Sequence, residues 1–265
     1  MSTPTHAVTD SATMLRRNLR HMLRYPSLTV MLAAMPVIFL LLFVYVFGGT
    51  LGAGLGDGPG GGRSDYIAYV TPGVLLMAVA SVAQGTAISV AMDMTEGIVA
   101  RFRTMSISRA SVLTGHVVGS FIQAMITIAT VVGVALLIGF RADAGPVEWL
   151  AAFGILAMIT FAFIWLSVAL GMVSKSVETA SNLPMPLLLL PFLGSGFAPT
   201  DSMPTGLRWF AEYQPFTPVT EALRGLLMGT EIGNSALLAT GWSVGIALFG
   251  YLWARKLYDR DPAPR

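Results

Sequence analysis

The sequence contains no cysteine, which excludes disulfides, thiolate catalysis and cysteine metal sites. It contains two lysines, Lys175 and Lys256. A phosphate-binding loop places its lysine after a glycine and before serine or threonine, so that the ammonium and the backbone N–H groups hold phosphate together. Lys175 follows Ser174 and Lys256 follows Arg255, so neither fits, and this chain is not expected to hydrolyse ATP itself. Histidine is nearly as scarce: His6, His21 and His116 are scattered, without ligand spacing, and no metal site is expected. An H-E-x-x-H motif and paired acids within an apolar run are both missing, which removes the usual grounds for an intramembrane enzyme. Charged residues make up 11% of the chain, whereas a soluble domain carries about 25%.

What the sequence has instead is apolar surface: 54% hydrophobic residues and a mean hydropathy of +0.70. A chain of 265 residues could bury a good core in water, so this excess points to a solvent that is itself apolar. The basic balance (pI near 9.1) does not point to nucleic acid, because the charges sit at the ends of apolar runs rather than in a patch. No charge lies between Arg24 and Asp57, Asp65 and Asp93, Arg109 and Arg141, Glu148 and Lys175, Glu178 and Asp201, or Glu231 and Arg255. Each gap holds about 20 residues or more, enough for a helix to cross about 30 Å of hydrocarbon. Backbone groups in hydrocarbon must be paired within the segment, so helices are expected, and runs such as 37–44 do not alternate as barrel strands would. The expected fold is an all-α integral membrane protein with six transmembrane helices near 27–48, 67–92, 111–139, 149–173, 179–197 and 234–255.

Orientation follows from the basic residues. With the N-terminus inside, twelve of the sixteen lysines and arginines face the cytoplasm, and Arg63, Arg141, Arg208 and Arg224 face outward. An even number of spans then returns the C-terminus to the cytoplasm. The basic stretch from Arg16 to Arg24 runs straight into an apolar segment without a small-residue cleavage site, so a cleavable signal peptide is not expected.

The connections carry further signals. Leu15, Leu19, Met22 and Leu23 share one helical face, so residues 10–25 read as an amphipathic interface helix or as a basic topology anchor. Residues 48–62 are mostly glycine. Their match to G-x-G-x-x-G has neither the strand nor the helix that would give it meaning. Between Asp93 and Arg109, Ile98, Phe102 and Met105 share a face while Glu96, Arg101 and Arg103 offer charge. This short cytoplasmic helix suits docking onto a soluble partner or lying on headgroups. The segment 199–231 is semi-apolar but too charged to span, which predicts re-entry into the membrane, and Pro184, Pro186 and Pro191 interrupt the fifth span before it. Gly115/Gly119, Gly225/Gly229 and Gly241/Gly245 have the spacing of close helix packing. Ser81, Gln84, Ser120, Gln123 and Thr127 are polar at membrane depth, either as helix-to-helix hydrogen bonds or as the lining of a substrate pathway.

Two segments resemble a known family. Glu96-Gly97-Ile98 with residues 101–109 (R-F-R-T-M-S-I-S-R), and Gln214-Pro215-Phe216-Thr217 with residues 221–229 (E-A-L-R-G-L-L-M-G), are similar to the signatures of ABC-2 type permeases of the daunorubicin/doxorubicin-resistance type. Ser106 stands where proline is common in that family. The resemblance implies the transmembrane subunit of an ATP-binding-cassette exporter in a bacterial plasma membrane. It works with a separate ATPase that carries ATP and Mg, and with a second permease copy, identical or related. It also implies that Glu96, Ile98, Arg101, Phe102, Arg103 and Met105 form the coupling helix seated in the ATPase. Pro215, Phe216, Glu221 and Arg224 would belong to an extracellular re-entrant gate. The apolar, methionine-rich spans suit a hydrophobic or amphipathic cargo such as a drug, natural product or lipid. An ion-coupled secondary transporter and a polysaccharide exporter are the alternative readings. The first lacks ionisable residues near mid-span, and the second lacks an aromatic ladder.

Overall fold

The computed structural model describes residue 16 and residues 26–52, 62–96 and 109–259. Helix is the only regular secondary structure among the described residues, and none of them forms a strand. Among the described residues, five helices are long and apolar enough to cross a membrane: Thr29–Gly52, Arg63–Thr95, Leu113–Leu137, Pro146–Val173 and Ser235–Tyr258. They match five of the six expected spans to within a few residues. Three of them run slightly past the charge-free limits, because Arg63, Asp65, Glu148 and Arg255 are exposed near helix ends where a charged head can reach water.

The first crossing is continuous but not uniform. Helix α1 (Pro26–Leu42) passes through a π-helical turn at Phe43–Phe47 into α2 (Gly48–Gly52). Helix α3 (Arg63–Thr95) is the central pillar, buried along most of its length, with its neighbours packed around it. Its start is held by Asp65, whose Oδ2 accepts from the Gly62 N–H at 3.1 Å, and an acid in the first turn also suits the helix dipole. Helix α4 (Arg109–Leu137) ends where Gly139 takes φ +109°, and Arg141 Nη1 donates to the Leu136 and Phe140 carbonyls at 3.0 and 2.8 Å. A cation on orphan C-terminal carbonyls is the favourable arrangement at that end. Helix α5 (Pro146–Val173) opens with proline at its first position, where no N–H is needed.

The stretch expected as the fifth span, 179–197, is not one long helix. It consists of α6 (Val177–Asn182), α7 (Met185–Leu189) and a run of turns to 197. Pro184, Pro186 and Pro191 each withdraw a backbone N–H and clash with the preceding turn, so a regular ladder cannot continue. Helices α8 (Thr205–Tyr213) and α9 (Phe216–Met228) follow as a hairpin hinged at Gln214-Pro215, and Gly229 ends α9 in the left-handed conformation (φ +70°). Helix α10 (Ser235–Asp259) packs chiefly along α5.

Two of the three glycine pairs picked out by spacing, Gly225/Gly229 and Gly241/Gly245, make no close approach between helices, and tight approaches occur at other glycines. A Cβ on Gly73 would stand 2.5 Å from Gly196 O, one on Gly171 2.5 Å from Ala87 O, and one on Gly250 2.6 Å from Leu166 N. Gly241 and Gly245 face nothing within 4 Å, and Gly225 makes room for Ile232 rather than for another helix.

Candidate functional site

Helix α3 serves as a ruler for depth. Gln84 Nε2 donates to Ser181 O at 2.7 Å, and nearer the Arg63 end Gly73 meets Gly196 backbone to backbone. The broken segment therefore runs antiparallel to α3, advancing about 16 Å along it at 1.5 Å per residue. The α8–α9 hairpin enters the same space. Phe216, at the start of α9, stacks on Phe163 of α5 (centroids 5.0 Å apart), about 25 Å from the Pro146 end of that helix. At the other end of α9, Leu227 O accepts from the Asp143 N–H at 3.0 Å, in the loop just before α5. The hairpin tip is thus deep between helices, while the end of α9 returns to the Arg63/Pro146 end of the bundle.

A buried tip of irregular backbone must satisfy its own polar groups. Gln214, 4% exposed, does most of this work. Its Nε2 donates to Leu190 O at 3.3 Å and to Thr217 Oγ1 at 3.1 Å, and its Oε1 accepts from the Phe216 N–H at 3.0 Å. Thr217 Oγ1 in turn donates to Ala211 O and accepts from the Ser195 N–H at 3.3 Å, so its one donor and two acceptor positions are all used. Gly194 is small by necessity, since a Cβ there would stand 2.3 Å from Gln214 Nε2.

Higher on α9, Arg224 ties three elements together. Its guanidinium carbon lies 3.9 Å from the centroid of the Tyr69 ring on α3. Nη2 donates to Tyr69 O at 3.2 Å and Ser195 O at 2.9 Å, while Nη1 donates to Glu221 Oε1 at 2.9 Å. The Arg224 side chain is 11% exposed and that of Glu221 37%, so the pair sits at the edge of the buried zone. Arginine suits this place because one planar fork reaches several acceptors and stacks on a ring at once.

Of the residues expected to form the gate, Pro215, Phe216, Glu221 and Arg224 are gathered here. Gln214, Thr217, Gly194, Ser195 and Tyr69 complete the arrangement without having been singled out as site residues. The Q-P-F-T run held the signal for two of them, because glutamine and threonine flanking a proline in apolar surroundings must find partners. Of the expected coupling residues, Ile98, Arg101, Phe102, Arg103 and Met105 lie outside the described residues, as does nearly all of 10–25. Glu96 is exposed and ends α3, its N–H donating to Met92 O at 2.9 Å. At this same end of the bundle Asp93 Oδ2 and His116 Nε2 stand 3.1 Å apart, both buried, fastening α3 to α4 where the 97–108 connection leaves and returns.

Of the five residues considered for a substrate pathway, Gln84 and Gln123 bond across elements. Gln84 bonds the broken segment, Gln123 Nε2 donates to Thr29 Oγ1 of α1 at 3.2 Å, and Ser81 Oγ donates to Met77 O at 2.9 Å within its own helix. Thr127 is fully buried with its hydroxyl unpartnered, and Ser120 is partly buried on α4.

Comparison with known proteins gives a consistent picture. A model of the ABC-2 type transporter family matches residues 10–228. The chain is 30% identical over 185 residues to a daunorubicin resistance ABC transporter permease protein of Streptomyces coeruleorubidus, covering 69% of this chain and 62% of that one. It is 21% identical over 179 residues to a "Probable doxorubicin resistance ABC transporter permease protein" of Mycobacterium tuberculosis, covering 68% of this chain and 65% of the relative. The matched region thus spans a little under two thirds of these relatives' own length.

Proposed function

Because this chain belongs to the ABC-2 type transporter family, we propose that it is the membrane-spanning subunit of an ATP-driven exporter of hydrophobic or amphipathic compounds. The observation that carries this reading is the α8–α9 hairpin, a polar knot sealed by Gln214, Thr217 and Arg224 deep among apolar helices. Such a plug closes a path through the bundle and opens only if α3, α9 and the broken segment part. In this reading the 179–197 segment is the fifth of six crossings, in broken form, the hairpin re-enters from outside, and both termini are cytoplasmic. ATP is hydrolysed on a separate subunit, which docks on residues 96–105 with Phe102 as its apolar anchor. A second permease copy completes the pathway. The relatives' names, daunorubicin and doxorubicin resistance, support a drug-like cargo.

Docking is tested at Phe102. Aromatic anchors dominate interfaces, and truncating one costs about 2 kcal/mol or more, so Phe102→Ala releases the ATPase subunit from the purified complex while Arg103→Ala weakens it less. Retention of the ATPase by Phe102→Ala, with loss of membrane attachment in the arginine variants, favours a helix lying on lipid instead. The second reading, an ion-coupled carrier, has one observation in its favour: the buried Asp93–His116 pair.

A further inference from the structure

Helices α5 and α10 run parallel in close contact, and Gly250 lets their backbones touch at Trp165 and Leu166. Beside this crossing the side chains part. Met158, Phe161 and Trp165 from α5 and Val244, Leu248 and Tyr251 from α10 line an open groove of about 490 Å³. Trp165 and Tyr251 meet edge to face with centroids 5.0 Å apart at its far end. Its walls offer little to a polar ligand, since the hydroxyl of Ser243 is spent on Ala239 O at 2.7 Å. Along either helix the groove is about 10 Å long, against about 15 Å of hydrocarbon in one leaflet.

The character changes just past the aromatic pair. Arg255 continues the stripe of Val244, Leu248 and Tyr251 one turn on, and Lys256 follows it; both are exposed. An apolar trough about two thirds of a leaflet long that ends at an aromatic pair and two cations has the outline of a lipid with an anionic headgroup. Basic positions beside grooves between transmembrane helices hold such headgroups by charge attraction in the interface. We propose that the α5–α10 groove binds an anionic phospholipid, with one acyl chain in the trough and the phosphate on Arg255 and Lys256. This goes beyond the export reading and requires only that the chain sits in a bilayer.

The test counts retained lipid. The full chain is reconstituted with equal parts phosphatidylglycerol and phosphatidylcholine, extracted in mild detergent and weighed by native mass spectrometry. Wild type retains phosphatidylglycerol in preference. The double variant R255Q/K256Q loses that preference by roughly tenfold, because each basic residue near the surface contributes attraction independently. Ala247→Phe, which fills the trough, lowers retention of both lipids; should it fail to fold, the charge variant decides alone. Equal retention of the two lipids by wild type, or an unchanged preference in R255Q/K256Q, overturns the proposal. So does efficient disulfide formation between two copies of Leu248→Cys in this otherwise cysteine-free chain, which would give the groove to a second copy.

Discussion

The guanidinium of Arg224 lies over the Tyr69 ring, 3.9 Å from its centroid, and donates to the backbone carbonyl of the same residue at 3.2 Å. One side chain of the hairpin thus grips the central helix by both its ring and its backbone. Arg224→Ala removes every one of these contacts and leaves Glu221 without its cation. The expected loss is about 2–4 kcal/mol of folded-state stability, read as a fall in melting temperature in detergent, together with loss of export. Arg224→Lys recovers little, because a single ammonium cannot reproduce the fork or the stack. Glu221→Gln, at a partly exposed position, costs about 1 kcal/mol or less.

The knot below it responds to small changes. Thr217→Val keeps the shape but leaves the Ser195 N–H and Ala211 O without their partner, and Gln214→Leu does the same to the Phe216 N–H while removing one of the two donors to Leu190 O. Each buried group left unpaired costs about 1–3 kcal/mol. Both variants are expected to be less stable in detergent and to leak small solutes through reconstituted vesicles. A Thr217→Ser variant that retains the hydroxyl stays tight.

Glycine substitutions separate contact from spacing. Gly73→Ala places a methyl 2.5 Å from Gly196 O, where backbone must move, so it is expected to abolish stable folding or export. Gly241→Ala meets nothing within 4 Å and should be neutral or stabilising by up to about 1 kcal/mol through helix propensity. Expression level and melting temperature of the two variants check this.

These contrasts show what could be read from the sequence. Charge-free runs located five long helices because hydrocarbon imposes a length and removes charge, and both constraints act residue by residue. The faces of those helices were not legible. In a membrane the inward and outward faces are both apolar, so periodicity gives no sign of which glycine meets a neighbour. Gly241/Gly245 has packing spacing yet looks away from the chain, while Gly73, Gly171 and Gly250 carry the contacts. Pro184, Pro186 and Pro191 announced a break in the segment 179–197, but the antiparallel course beside α3 depends on Gly196 and on the Gln84 bond to Ser181. Pro215, Phe216, Glu221 and Arg224 were legible as a group through their motif. The Asp93–His116 pair was not, because it joins positions 23 apart on different helices.

Topology is open to direct labelling, since the chain has no native cysteine. A membrane-impermeant thiol reagent added to intact cells is expected to label Asp143→Cys and to spare Lys175→Cys until the membrane is opened. The reverse pattern would invert the orientation and place the hairpin on the cytoplasmic side.

In the proposed function, transport is powered by ATP on a separate subunit, with this chain as the gated path. The direct measurement is uptake of a fluorescent amphipathic drug into inverted vesicles holding the purified chain, with and without its ATPase subunit. Concentrative uptake is expected with the ATPase and ATP, abolished by Arg224→Ala, and none when the chain alone is given an imposed proton gradient. Concentrative uptake by the chain alone under that gradient, lost in His116→Ala, would contradict it and make the protein an ion-coupled carrier.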